Sequence, residues 1–142
     1  MAPETIALLQ DSWRKVAPIA DQAARLFYDR LFAIEPPLRA LFRSTDFDSQ
    51  RRKLVQALTT VITNLEKIEE LVPTIEALGS RHAGYGVQER HYDAVGKALL
   101  WTLEQRLGNA WTDEVKTAWT EAYGLVAGVM KSAAVTSVKS AA

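Results

Sequence analysis

The chain has 142 residues, enough for one domain with a core of its own. Lys plus Arg and Asp plus Glu balance at 17 each, so no long-range field draws nucleic acid or an anionic membrane. Cysteine is absent, which excludes disulfide scaffolds, thiolate metal sites, iron–sulfur clusters and thioether attachment of a cofactor. Met1-Ala2-Pro3-Glu4-Thr5-Ile6 is not a basic leader and no long apolar run follows it. Neither a signal peptide nor a transmembrane span is expected, and a cytoplasmic protein is the default.

Helical spacing recurs from end to end, and no stretch alternates with the period of a strand. A first helix is expected over about Pro3–Val16, with Ile6, Leu9, Trp13 and Val16 inward and Pro18 as its stop. A second runs from about Ile19 to Ile34, and Pro36-Pro37 ends it while opening a short helical turn through Leu41 and Phe42. Arg43 to Asp48 reads as a polar loop, with Asp48 or Ser49 capping a helix that carries Leu54, Leu58, Val61 and Leu65. A connector at Glu66–Glu70 leads to a helix whose stripe Leu71, Ile75, Leu78 ends in His82, just before Gly84-Tyr85-Gly86. A further helix spans about Glu89–Leu107 with Tyr92, Val95, Leu99 and Leu103 inward, and Gly108 breaks it. Thr112 or Asp113 caps the last helix, which turns Val115, Trp119, Tyr123, Val126 and Met130 to the core, and residues 133–142 are expected to fray. Trp111 is either an exposed aromatic for a partner or, more simply, a buried corner tryptophan. The expected class is all-α, one domain over residues 1–142.

His82 places one imidazole at the core-facing end of an apolar stripe, and His91 is the only other histidine. By itself His82 fits two readings, an axial haem ligand or a capping histidine near a helix C-terminus, and the second is commoner for an isolated residue. Tyr28 lies on the same side of its helix as Ala24 and Leu31, Gln50 begins the stripe that continues through Leu54 and Leu58, and Phe42 ends the turn after the two prolines. Taken singly, each has an ordinary explanation: a half-buried phenol, a first-turn surface amide, a core aromatic.

Together, Phe27-Tyr28-Asp29-Arg30-Leu31-Phe32, Glu35-Pro36, Leu41-Phe42, Gln50, Leu54, His82, Tyr92 and Ala118-Trp119 with Ala122-Tyr123 resemble the globins in order and spacing. The likeness is to bacterial single-domain haemoglobins and the globin domain of flavohaemoglobins, and it runs from about Ile6 to Met130. It implies a globin fold around one haem pocket, with no or a disordered D helix, and a non-covalent haem b. It makes His82 the proximal iron ligand, Phe42 the aromatic against the porphyrin, Tyr28 and Gln50 the distal pair, and Leu54 the wall behind them. Ala57, Leu78, Val87, Tyr92, Val95 and Val126 complete the expected haem contacts. Lys53 and Arg81 stand where the family often pairs with haem propionates, although both also fit solvated surface charges. His91 is expected at the surface and not as a second axial ligand.

Without a distal histidine the iron is expected to be five-coordinate and open, with two donors facing a bound gas. Each such bond contributes roughly 1.5–3 kcal/mol, so the resemblance implies tight, slowly released O2. Three functions share this pocket: high-affinity reversible binding of O2 or another small ligand such as NO; a nitric oxide dioxygenase that combines NO and O2 into nitrate with a separate reductase; and, last, a gas sensor. The resemblance also implies a tyrosine–glutamate pair behind the proximal imidazole. Tyr92 matches the tyrosine, but the acid's place falls at about Ala134 and no Asp or Glu follows Glu121. That departure favours reversible binding over O–O cleavage. A monomer or weak homodimer is expected.

Overall fold

The computed structural model describes the backbone of residues 1–141 and the side chains of residues 1–134. Six α-helices carry the chain: α1 (Pro3–Val16), α2 (Ala20–Ile34), α3 (Phe47–Thr63), α4 (Ile68–Gly84), α5 (Glu89–Leu107) and α6 (Asp113–Ala141). Tight 3-10 turns join them at Ala17–Ile19, Pro36–Phe42, Leu65–Lys67 and Gly108–Ala110, and no strand occurs among the described residues. The expected all-α architecture is therefore the observed one. Most of the expected fraying segment, residues 133–142, has side chains outside the described residues; the α6 backbone is helical through Ala141.

Local chemistry explains the boundaries. Pro3 sits in the first turn of α1, where an N–H would have no helical partner anyway. Pro18 and Pro36-Pro37 cannot continue an α-helical ladder, and each falls in a 3-10 turn. Arg43 to Asp46 link that turn to α3 without a helix. The cap of α3 is Asp46, not Asp48 or Ser49: its extended backbone lets the carboxylate accept from the Asp48 N–H at 3.1 Å. Leu65 belongs to the turn after α3, and α4 starts inside the expected connector, where Glu69 and Glu70 face the positive end of the helix dipole. Gly108, at φ 54°, ends α5, and Thr112 Oγ1 accepts from the Val115 N–H at 3.2 Å to start α6.

The apolar residues form two separate clusters. The larger unites Leu9, Trp13, Phe27, Leu31, Leu99, Leu103 and Trp119 from α1, α2, α5 and α6. Within it the buried Trp119 indole N–H donates to Ser12 Oγ at 2.8 Å, which satisfies the one polar atom that this tryptophan brings inside. The smaller cluster gathers Ile75 of α4, Tyr92 of α5, and Ala127 and Met130 of α6. Helix α3 packs on α1 and α2, and α4 packs on α6, but α3 and α4 do not pack along one another although they follow in sequence.

Gly79 sets how closely α4 approaches α6. A methyl there would lie 2.6 Å from the Met130 Cα and still nearer its carbonyl oxygen, and backbone cannot swing aside as a side-chain tip can. Gly79→Ala is expected to destabilise the fold by roughly 1–3 kcal/mol, the cost of overpacking a tight contact. Gly84→Ala, with nothing within 4 Å of the added methyl, should be close to neutral. Urea unfolding of the two variants checks the contrast.

Burial pushes the phenols of Tyr28, Tyr92 and Tyr123 above the ordinary tyrosine value. The folded state then keeps protons that the unfolded chain releases, so stability is complete below pH ~10 and falls as the pH rises beyond it. The urea midpoint should drop between about pH 8 and pH 11, and Tyr28→Phe with Tyr123→Phe should flatten that drop.

Candidate functional site

Tyr28 and Gln50 meet across α2 and α3. The Gln50 Nε2–H donates to the Tyr28 hydroxyl oxygen at 3.1 Å, so the tyrosine keeps its own hydrogen free to donate elsewhere. Burial raises the Tyr28 pKa, outweighing the opposite influence of Gln50, so the phenol remains a neutral donor over the ordinary pH range. Its ring is held by aromatic neighbours: Phe27 at 5.0 Å, Phe47 at 5.7 Å, Phe42 at 5.8 Å and Phe32 at 6.2 Å between centroids. The contacts with Phe27, Phe42 and Phe47 are edge-to-face and that with Phe32 is tilted, and together they hold the ring in place.

His82 lies on α4, half-buried. Its Nδ1 is 2.7 Å from the Leu78 carbonyl oxygen. A carbonyl can only accept, so Nδ1 carries the proton and Nε2 keeps its lone pair. The Val87 N–H donates to the His82 carbonyl at 3.1 Å, closing the chain over the end of the helix, and the exposed Tyr85 ring stands 6.2 Å from the imidazole. Tyr92, in the cluster on which Leu78 and Val87 pack, is buried, and its hydroxyl has no hydrogen-bond partner among the described residues. Tyr123 donates to the Tyr92 backbone carbonyl at 2.6 Å, and the Lys131 ammonium lies 5.6 Å from the Tyr92 ring centroid.

The two groups of candidates belong to different apolar clusters. Tyr28 is part of the larger one, with Phe42, Leu54 and Val95 packed against it, whereas Leu78, Val87 and Val126 pack against the smaller one that holds Tyr92. All six of these aliphatic and aromatic neighbours are half-buried, as are Ala57, Gln50 and His82. Lys53 and Arg81 are exposed and form no ion pair.

Two residues that sequence reasoning passed over help to build the α2–α3 side. Phe47 stacks on Phe42 and closes the aromatic box around Tyr28. Arg51 is buried and bridges Asp21 of α2, at 3.0 Å, with Asp48 in the first turn of α3. This bond to Arg51 is the main reason the Asp21 carboxyl lies below its ordinary value. Arg51 thereby locks α3 to α2 next to Gln50. His91, expected at the surface, is instead buried: its Nδ1 accepts from the Gln88 N–H at 2.9 Å within a capping box that starts α5. Burial lowers its pKa, and with Nδ1 already accepting, the neutral ring has no lone pair left for a metal.

The arrangement suits a flat, largely apolar group that carries its own metal. Among the described residues no group of three or more His, Asp or Glu side chains could hold a metal ion, so a metal here would need donors from elsewhere. A porphyrin would supply them and would offer apolar surface to both clusters. No helix among the described residues is long and apolar enough to cross a membrane.

Comparison with known proteins agrees with this geometry. Residues 25–130 match the globin family model. The chain is 34% identical over 103 residues, 71% of its length, to a flavohemoprotein of Bacillus subtilis, covering 26% of that protein. It is 30% identical to a flavohemoprotein of Rhodopirellula baltica and 32% identical to one of Bordetella parapertussis, over 91% and 92% of its length and 32% and 33% of theirs. The chain thus spans about a quarter to a third of the length of these relatives. A bacterial globin from Campylobacter jejuni superposes with a TM-score of 0.82 at 23% identity, covering 95% of this chain and 97% of that one, which shows a common fold. With helices, connections and family model in agreement, this chain belongs to the globin family and is a haem-binding globin.

Proposed function

We propose that this globin holds haem b on His82 Nε2 and binds O2, or a related small ligand such as NO, reversibly and tightly beside Tyr28 and Gln50. The observation that carries the reading is the Gln50–Tyr28 hydrogen bond, which leaves the buried Tyr28 hydrogen available on the α2–α3 side. Haem held there would supply an iron able to bind a diatomic gas, with His82 as its protein ligand. Tyr28 would donate to the gas, Gln50 would orient the phenol, and Phe42 and Leu54 would keep water away. On the α4 side, the Leu78 carbonyl holds the imidazole in the tautomer whose Nε2 can bind metal. Phe42, Leu78, Val87, Val95 and Val126 provide the apolar walls, and Lys53 and Arg81 stand ready for the propionates.

Tyr28→Phe is expected to raise the O2 dissociation rate about ten- to hundredfold, the equivalent of one charge-assisted hydrogen bond. Stopped-flow displacement of O2 by CO measures it, and an unchanged rate would remove Tyr28 from the reading. The reduced protein should show a five-coordinate high-spin spectrum, and His82→Gly should lose it and recover it with added imidazole. A low-spin bis-histidine spectrum in the reduced protein contradicts the assignment.

The similarity to flavohemoproteins favours a second reading, nitric oxide dioxygenation, in which NO and O2 become nitrate and a reductase restores ferrous iron. Mixing the O2-loaded protein with NO separates the two. Stoichiometric nitrate followed by fast enzymatic re-reduction supports the enzyme; slow re-reduction by every reductase tried leaves the binding protein.

A further inference from the structure

A cation lies against the Tyr92 ring. Lys131, on α6 next to the core residue Met130, places its ammonium 5.6 Å from the ring centroid, within the range of a cation–π contact. The Tyr92 hydroxyl is buried and has no hydrogen-bond partner, and no acidic residue follows Glu121 on α6. Tyr92 sits in the small cluster with Ile75, and Leu78 packs on that cluster while accepting from His82 Nδ1. The charged groups that bear on this region are therefore Lys131 on α6, the exposed Arg81 on α4 and the exposed Asp93 beside Tyr92 on α5. Of these, Lys131 is the one that lies against the Tyr92 ring, and its side chain is half-buried, where solvent screens it less than it screens the other two.

We propose that Lys131 is a positioning and charge-setting residue for the iron site: its fixed positive charge on Tyr92 raises the reduction potential of an iron carried by His82 and keeps the imidazole a neutral ligand. The inference rests on the reading of His82 as the axial ligand. A cation near the ligand side stabilises the less positive, ferrous state, and the unpaired Tyr92 hydroxyl offers no anion to oppose it. The held state is the one to which O2 binds. A protein built this way is biased toward keeping its iron reduced between encounters with an electron donor.

The test is spectroelectrochemical titration of the haem-loaded protein, with the iron–histidine stretch read by resonance Raman scattering, for wild type, Lys131→Arg, Lys131→Gln and Lys131→Glu. Lys131→Gln should lower the ferrous-to-ferric ratio at a fixed potential by up to about tenfold, or about 59 mV for a one-electron couple. Lys131→Glu should lower it further and raise the stretch frequency, while Lys131→Arg should stay near wild type. Equal potentials for wild type, Gln and Glu variants overturn the proposal, as does an Arg variant that falls as far as Gln, which would indicate packing instead of charge. His82→Gly separates the two levels of inference. If that variant keeps the wild-type axial spectrum, the ligand assignment fails and Lys131 with it; if it loses the spectrum while the Lys131 series stays level, only the Lys131 proposal fails.

Discussion

The arrangement of the helices depends on the close approach of α4 to α6 at Gly79, where a side chain would run into the Met130 backbone. That contact draws α4 down onto α6, and so fixes the line along which Ile75, Leu78 and His82 are carried. Because α4 is committed to α6, it is not available to α3, whose partners are α1 and α2. The apolar faces of α3 and α4 consequently remain half-buried, one edged by Gln50 and the other by His82. Any side chain larger than hydrogen at residue 79 would change the relation between those two edges before it changed either edge itself.

The chemistry of both edges is decided by one hydrogen bond each. On α4, a main-chain carbonyl determines which imidazole nitrogen bears the proton. Between α2 and α3, an amide N–H occupies the lone pair of a phenol and thereby directs its hydrogen outward. In neither case is a charged partner used. The ion-pair network of Arg51 with Asp21 and Asp48 acts on the position of α3 and not on the reacting groups.

Much of this was legible in the sequence. Prolines and Gly108 are strong punctuation because they act through the backbone alone, and the bounds of α1 and the ends of α2 and α5 were readable from them. The stripe ending in His82 followed from helical spacing, and the pairing of Tyr28 with Gln50 from the resemblance to the globins. What was not legible depends on contacts between distant segments or on a residue contradicting its type. Phe47 lies in a run otherwise polar, so the window around it reads as loop and the expected cap, Asp48 or Ser49, falls two or three residues late. Arg51 is charged, and only the paired carboxylates of two helices make its burial tolerable. His91 stands between the exposed Arg90 and the buried Tyr92 and is drawn inside by its capping bond. Lys131 reaches Tyr92 only after α5 and α6 pack, and no local spacing relates them.

The aromatic box around Tyr28 has a consequence for discrimination among gases. Four rings hold the phenol, so its hydroxyl oxygen cannot swing away when a guest has no use for the donor. A diatomic molecule whose outer atom gathers negative charge gains the full bond, whereas carbon monoxide, whose outer atom stays nearly neutral, must sit against a rigid donor and gains little. On the proposed reading, the same packing that buries a tyrosine also makes the pocket a filter for polarity in ligands of nearly equal size.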